Sequence, residues 1–475
     1  MSRMRSYRRR LGTIILFLSD LVILFLIAAL AITIRDVLPS VIPFFPGFSG
    51  VIGYAWWFFP VWITVLAYEG AYTRRFILWD EVKMLWKSAL FSTLAILAIV
   101  FIGKTAAVSR TVVVLIGVLG IVLFPPLRLL VKRRLIAATL LKRKVLILGA
   151  NETGLRALDA LRSEPNLGYE VIGFVDDARS GSRILGGVKV HGRLDQIDRY
   201  ISNADVHDVV IALPDLGKDA LNVLVTRLQH RAASVLYFPD YAGVAVSGTE
   251  LRHFFNNQSF ALEIKNNLAE PFNYYTKKVF DYLSGGLLSL FLLLPLAVTA
   301  VAIRLTSAGP AIYRHPRVGR NGRPFPCFKF RTMYADADER LQDILSTDPA
   351  AKREWEEFRK LSDDPRITPI GRFLRKTSLD ELPQILNILR GEMSMVGPRP
   401  VTPEEIEKYY RDSAELCFSV LPGITGLWQV SGRSNTSFPY RISLDSWYVR
   451  NWNLWLDIII LIKTVDAVLR KEGAK

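Results

Sequence analysis

Apolar positions come first in long unbroken runs and later in short, punctuated ones. Four runs, at 11–34, 51–68, 88–103 and 111–127, approach the roughly 20 residues that span a bilayer, the third being short. They predict a bundle of four transmembrane helices over residues 1–140. From Val145 the pattern changes. "VLILGANETG", "YEVIGFVDD", "VHDVVIALP" and "SVLYFPD" read as strands with helical stretches between them. That alternation predicts a parallel, doubly wound, Rossmann-like α/β domain over 141–260. A fifth apolar run, 282–303, opens a last region, 261–475, rich in turns and basic residues. Within it, "DADERLQDILSTDPAAKREWEEFRKL" reads as charged surface helices.

Charge orients the bundle. Five Lys and Arg precede the first run, four separate the second from the third, and seven follow the fourth; the other side has only Arg35, Lys104 and Arg110. Both ends of the bundle are therefore expected in the cytoplasm. The same rule bears on the fifth run. Crossing would export Arg304, Arg314, Arg317, Arg320 and Arg323, while Lys277 and Lys278 hold the leading end inside. Pro295 removes one backbone hydrogen bond in mid-run and kinks a helix. A helix over 279–303 that enters and returns on one face satisfies length, charge and proline together.

The chain is 51% apolar and carries a formal charge of +16. Such an excess suits nucleic acid, anionic lipid or a phosphate-bearing substrate. No nucleic-acid motif is present and much of the charge flanks membrane runs, so nucleic acid is not an expected partner. Cys327 and Cys417 cannot frame a disulfide core, and with five scattered histidines they offer no zinc spacing. No cleavable signal peptide is read at the start. Asp20, inside the first run, has two readings: a functional intramembrane carboxylate, or a group buried against a polar neighbouring helix.

The middle domain begins with Gly149 and Gly154, which suit a phosphate at a helix N-terminus. Asn151 replaces the second glycine of the dinucleotide fingerprint, and Asp176 lies 27 residues past Gly149 rather than about 20. A regulatory or structural role is favoured over nucleotide binding. Tyr274 and Lys278 have an oxidoreductase-like spacing but fall beside a membrane run, which makes the spacing a coincidence.

"RKTSLDELPQILNIL" places Asp380 beside Glu381 where a helix should begin, because Pro383 fits only a first helical turn. Thr377, Ser378 or Asp380 can cap it. Ser378 with Glu381 fits a capping box, and Leu382, Ile385, Leu386 and Leu389 form one apolar stripe. Adjacent acids in a first turn commonly just complement the helix dipole. Three features argue for more. A helix N-terminus keeps a nucleophilic carboxylate ionised. The cations Lys329, Arg331, Arg375 and Arg399 exceed what two acids need, so a phosphate ligand is implied. The acids also follow a segment that dips into lipid, where one can attack phosphorus while the other holds a divalent cation.

"KFRTM", "TSLDELPQILNILRGEMSMVGPRP", "PGITGLWQVSGR" and "DSWYVRNW", in this order, resemble the bacterial monotopic phosphoglycosyl transferases, or polyprenyl-phosphate hexose-1-phosphate transferases. The whole layout resembles their long form. The resemblance implies a re-entrant-helix-anchored α+β catalytic domain on the cytoplasmic face of the bacterial inner membrane. It implies transfer of hexose-1-phosphate from a UDP-sugar to undecaprenyl phosphate, with loss of UMP, to start a surface polysaccharide. Galactose ranks first as the hexose, glucose second. Asp380 matches the nucleophile and Glu381 the Mg2+-binding acid. Lys329, Arg331, Arg375, Arg399 and Arg433 match positions that hold phosphate or nucleotide. One departure is Leu294-Pro295, where the family usually has Ser-Pro. Trp447, Trp452 and Trp455 suit the headgroup boundary or, alternatively, a packed helix. A homodimer is expected. The competing readings are a membrane-anchored sugar-nucleotide oxidoreductase or epimerase, and a nucleotide-sensing scaffold.

Overall fold

A computed structural model describes residues 2–42, 56–103, 109–177, 184–204, 206–239, 250–254, 259–263, 267–268, 270–358, 361, 364–431 and 437–469. The chain divides into two compact units, Met1–Ala242 and Gly243–Lys475.

The first unit begins with helices α1 (Ser2–Val41), α2 (Phe58–Tyr68), α3 (Leu78–Ile102) and α4 (Arg110–Ala137). Three of them, α1, α3 and α4, are long and apolar enough to cross a membrane. The second apolar run differs from expectation. Its described part is an 11-residue helix, and residues 51–55 of that run lie outside the described residues. Trp62, Leu66, Leu85, Ala89, Ile96 and Phe124 fill the core between these helices.

A buried ionic cluster joins them. Asp20 is fully buried, accepts from the Tyr72 hydroxyl at 2.8 Å and lies 3.5 Å from Arg128. The reading of Asp20 as a group buried against polar neighbours holds. Arg128 also donates to the Ala71 carbonyl at 3.0 Å, and Lys132 is paired with Glu81. Buried charges persist only when paired in this way.

The sheet follows, with β1 (Arg143–Leu148), α5 (Glu152–Ser163), β2 (Tyr169–Val175), β3 (Ile184–Leu185), β4 (Val188–His191), α6 (Ile197–Ala204), β5 (Asp208–Ile211), α7 (Lys218–Gln229) and β6 (Ser234–Tyr237). Strand order is β3-β4-β2-β1-β5-β6, parallel except for the β3–β4 pair. The four middle positions of this parallel sheet read as continuous apolar runs because both faces are covered, and Val145, Leu146, Ile147 and Leu148 are all fully buried. Gly149 adopts φ +106°. A Cβ there would lie 2.3 Å from the Ala212 carbonyl oxygen, so only glycine fits.

The turn after β1 satisfies its own amides. Asn151 caps α5 by accepting from Gly154 N at 2.8 Å, and Asp176 accepts from Ala150 N at 2.6 Å. Both side chains that depart from the dinucleotide fingerprint thus do a structural task. Two amides that would otherwise face a phosphate are occupied, which fits the structural reading of this turn.

The second unit contains a β7–β8 hairpin (Glu250–Phe254, Ser259–Glu263), the 36-residue helix α8 (Pro271–Thr306), and a second hairpin of β9 (Ile312–Val318) and β10 (Pro324–Phe330). Helices α9 (Ala337–Thr347) and α10 (Pro349–Phe358) are charged and superficial, as expected. Then come α11 (Pro369–Thr377), a 3-10 turn Leu379–Gln384, α12 (Ile385–Leu389), the parallel pair β11 (Ser394–Val396) and β12 (Gly423–Thr425), and helices Phe438–Arg450 and Leu454–Leu469.

The structure differs from the expected cap and from the expected apolar stripe. Ser378 forms no capping box. It is the left-handed C-cap of α11, with φ +58°, and makes no side-chain cap bond. An N-cap needs extended backbone, and the tight return from α11 denies it. The first turn is 3-10 and shifts the faces: Ile385 and Ile388 are buried, whereas Leu386 and Leu389 are exposed. Of the two readings of the tryptophans, the packed helix holds for Trp452. It is buried, and its indole N–H donates to Asp457 at 3.1 Å. Trp447 is exposed.

Candidate functional site

Three segments carry the candidate residues. The β9–β10 hairpin pairs Lys329 with Tyr313 and Phe325 with Arg317, so Lys329 and Arg317 share one face. Phe328 and Phe330 are buried on β10 while Lys329 is not, which turns the lysine out of the core. The 3-10 turn carries Asp380 and Glu381. The stretch after β11 carries Arg399.

Asn387 fastens the first two segments together. Fully buried on α12, it accepts from Phe328 N at 3.0 Å and donates to the Pro326 carbonyl at 2.7 Å and to Glu392 at 2.7 Å. With α12 locked to β10, Lys329 reaches Glu381 at 2.7 Å.

The two adjacent acids differ in how tightly they hold a proton. Partial burial and the neighbouring Glu381 push Asp380 up to about 6, although Lys329 and Arg375 pull the other way. For Glu381, burial is overcome by the Lys329 ammonium, with Arg399 and Arg317 adding to it, so its carboxyl sits below the usual range. Both are ionised at neutral pH, and Asp380 is the more basic of the two.

The cations divide into two groups. Lys329 and Arg375 act on Asp380. Arg375 also donates to the Thr332 hydroxyl at 2.9 Å. Arg399 lies 5.5 Å from the Trp428 ring, and Arg441 lies 5.0 Å from the same ring. Arg317 pairs with Glu405 at 3.1 Å. Arg331 is elsewhere. It is buried and donates to the Ser307 carbonyl at 2.8 Å and to Ala308 at 2.5 Å, closing the end of α8. Arg433 lies outside the described residues. Pro295 lies inside α8, whose middle is exposed and apolar: Leu290, Phe291, Leu293, Leu294 and Val298 all face outward.

Sequence reading missed four contributors. Arg317 was recoverable from the "GRNGRP" turn, which fixes the hairpin register. Arg441, Asn387 and Asp445 gave no local signal. Asp445 accepts from the Tyr410 hydroxyl at 3.4 Å; its burial pushes its carboxyl up to about 7, with Arg399 drawing it the other way.

Among the described residues, no group of three or more His, Cys, Asp or Glu gathers at a point that would hold a metal alone. Mg2+, however, needs only one or two carboxylates when water and phosphate oxygens supply the rest. The Asp380–Glu381 pair fits that requirement.

Residues 272–471 match the family model for a bacterial sugar transferase, and residues 67–239 match that for a CoA-binding domain. A UDP-galactose-lipid carrier transferase of Erwinia amylovora is 40% identical over 404 residues, covering 85% of this chain and 84% of that protein. An undecaprenyl-phosphate galactose phosphotransferase of Salmonella typhimurium is 38% identical over 406 residues, covering 85% and 84%. Exopolysaccharide production protein ExoY of Sinorhizobium fredii is 44% identical over 217 residues, 46% of this chain and 95% of that one.

Proposed function

Because the chain belongs to the bacterial sugar transferase family, we propose that it moves hexose-1-phosphate, galactose first, from a UDP-sugar to undecaprenyl phosphate and so initiates a surface polysaccharide. The relatives' names support the donor and the acceptor. The observation that carries the chemistry is the Asp380–Glu381 pair with Lys329 at 2.7 Å.

A carboxylate oxygen of Asp380 attacks the phosphorus that bears the sugar. The bond from that phosphorus to the bridging oxygen breaks, and UMP leaves with the electron pair. The aspartyl-phosphosugar is then attacked at the same phosphorus by an oxygen of undecaprenyl phosphate, which frees Asp380. Lys329, Arg375 and Arg399 hold phosphate oxygens during both steps. Asp380, ionised above about 6, is free to act at neutral pH. Mg2+, held by Glu381, supplies charge neutralisation to the diphosphate when bound.

The site belongs at a membrane edge on this reading. Both ends of α8 attach to the same unit. Lys277, near its start, donates to Asp457 at 2.8 Å and to the Val396 carbonyl at 3.0 Å. Its end is held by Arg331, and Ile303 packs with Phe330 and Leu374. A helix so tethered dips into lipid with its exposed middle and returns, which favours the re-entrant form. Helix α12 packs on α8 and exposes Leu386 and Leu389. The catalytic region is assigned to 261–475, the bundle to 1–140 and a Rossmann-like domain with a regulatory or structural role to 141–260. The orientation is cytoplasmic on the inner membrane, and the assembly is a homodimer through the bundle.

The decisive experiment incubates the membrane-bound protein with UDP-galactose labelled in its β-phosphate, without acceptor. A stoichiometric adduct should map to Asp380 with release of UMP. An adduct on another residue, or UMP release with no adduct, would overturn the covalent route. Substituting UDP-glucose and the N-acetyl sugars in the same assay tests the sugar.

A further inference from the structure

We propose that a basic cavity in the first unit binds a phosphate group, independently of the transfer site. The cavity holds about 490 Å³, within the roughly 300–1,000 Å³ usual for small-molecule sites. It forms where the first apolar turns of α1, the turn between α2 and α3, and the chain from α4 into β1 come together. Five cations line it: Arg10, Arg74, Arg75, Lys132 and Arg143. No acidic side chain is among the described residues that line it.

The usual excess of Lys and Arg beside membrane helices needs only their number on one side. It does not need them to converge on one cavity, where each raises the electrostatic cost of the others unless an anion enters. The walls are also fixed in advance. Lys132 is held by Glu81, and Arg143 lies 3.4 Å from Asp208; neither acid is among the lining residues. Arg75 donates to the Leu167 carbonyl at 3.3 Å. The turn that carries Arg74 and Arg75 is anchored through Ala71 and Tyr72, which hold Arg128 and Asp20 respectively. A preorganised cationic cavity loses little on binding and selects a compact anion.

Position narrows the ligand further. Arg10 begins the segment Arg10–Val41, which is long and apolar enough to cross a bilayer. Ile14, Leu16 and Leu141 line the same cavity beside the cations. Cations and apolar side chains together suit a phosphate headgroup at the point where it meets its acyl chains. The recognised chemistry is a phosphate mono- or diester, carried by a lipid or free in solution.

The full-length protein in nanodiscs tests this with two probes. One is lipid retention from phosphatidylglycerol–phosphatidylcholine discs, read by native mass spectrometry. The other is inorganic pyrophosphate added to phosphatidylcholine discs, read as a melting shift. Three variants accompany the native chain: Arg74→Gln with Arg75→Gln, the charge-keeping Arg74→Lys with Arg75→Lys, and Thr73→Trp, which fills the cavity at constant charge. Native protein should retain phosphatidylglycerol selectively or be stabilised by pyrophosphate. The Gln pair and Thr73→Trp should each weaken that response at least about fivefold, and the Lys pair should keep it. Selective lipid retention identifies the lipid source; a pyrophosphate shift alone identifies the soluble one. No response in the native protein, or a native-sized response in Thr73→Trp, overturns the proposal even if the Gln pair fails to fold.

Discussion

The Lys329 ammonium lies 2.7 Å from the Glu381 carboxylate, and this contact separates the two neighbouring acids. Burial and Glu381 push Asp380 up to about 6, while Lys329 holds Glu381 below its usual range. If ionised Asp380 is the nucleophile, sugar-phosphate transfer rises with pH through about 6 and levels above it. Lys329 lowers both carboxyls, so Lys329→Ala should move the acid limb to higher pH as well as slow the reaction. Initial rates of UMP release between pH 5 and 9 measure this. An acid limb unmoved in the variant would separate Lys329 from the titration of Asp380.

Because a raised carboxyl favours the neutral form in the fold, ionising Asp380 weakens folding. The sign follows from linkage: its contribution is most favourable at low pH and declines as pH rises from about 4 to about 6. A divalent cation beside the pair should reverse that decline. Mg2+ is therefore expected to raise the melting temperature at pH 7.5 more than at pH 5, and Glu381→Gln should lose most of the gain. Equal shifts at both pH values, or in the variant, would place any Mg2+ elsewhere.

Asn387 should matter to activity without touching substrate. Asn387→Leu strands the Phe328 amide and the Pro326 carbonyl it now satisfies. Each buried unsatisfied group costs about 1–3 kcal/mol. The variant should melt several degrees lower. Where it stays folded, it should lose turnover more than UDP-sugar affinity, because Lys329 and Glu381 no longer keep register. Asn387→Asp, which keeps the acceptor alone, should fall between. A melting loss with unchanged turnover would limit Asn387 to a structural task.

Some of this was readable from the chain, for identifiable reasons. Runs of apolar residues announced α1, α3, α4 and α8, and "VLIL" announced β1, because burial writes itself into local composition. Asp380 and Glu381 stood out because they are adjacent and precede a proline. Asn387, Asp445 and Arg441 did not, since each acts through partners distant in sequence: Asn387 reaches Pro326 and Phe328, and Asp445 reaches Tyr410. Ser378 misled because a Ser-x-x-Glu spacing fits a capping box, whereas the backbone there is left-handed and closes α11 instead. Trp452 stayed open between two readings because an aromatic beside an isoleucine run suits a headgroup boundary and a packed helix alike; Asp457, five residues on, gives its N–H a buried acceptor. Arg331 sits two positions after Lys329 and matches its chemistry, but the strand ends at Phe330 and the arginine turns to Ser307 and Ala308.

The buried network at the start of α8 gives a stability prediction. Lys277 meets Asp457 at 2.8 Å, and Asp457 also accepts from Tyr448 at 2.7 Å and from Trp452. Asp457→Leu removes the close counter-charge of the buried Lys277 ammonium, leaving it the Val396 carbonyl and Asp281 at 3.8 Å, and strands the Trp452 N–H. Breaking a buried pair from one side costs roughly 3–5 kcal/mol, enough to prevent accumulation of a marginal protein. Adding Lys277→Met should restore part of the yield by removing the stranded charge. Fluorescence-monitored expression of the two variants reads this directly, and equal loss in both would mean that the tryptophan donor dominates.

The course of α8 is testable from its two ends. A straight helix of its length would run about 54 Å, far beyond the hydrocarbon core, yet residues 277 and 303–308 are held by one globular unit. Phe272 and Leu305 are exposed beside those anchors, and the native Cys327 and Cys417 are buried, which keeps background labelling low. Phe272→Cys and Leu305→Cys should therefore both react with a membrane-impermeant maleimide in inside-out vesicles and neither in right-side-out cells. Opposite labelling would make α8 a spanning helix. On the re-entrant reading, Pro295 supplies the bend by removing one backbone hydrogen bond. Pro295→Ala should straighten the segment, strain both anchors and reduce activity at least about tenfold. The freed carbonyl beneath that proline lacks the serine hydroxyl available in Ser-Pro breaks, because Leu294 stands there. Leu294→Ser should then be tolerated, with same-sided labelling and near-native turnover, whereas a switch to opposite-sided labelling in that variant would show that Leu294 itself determines the bend.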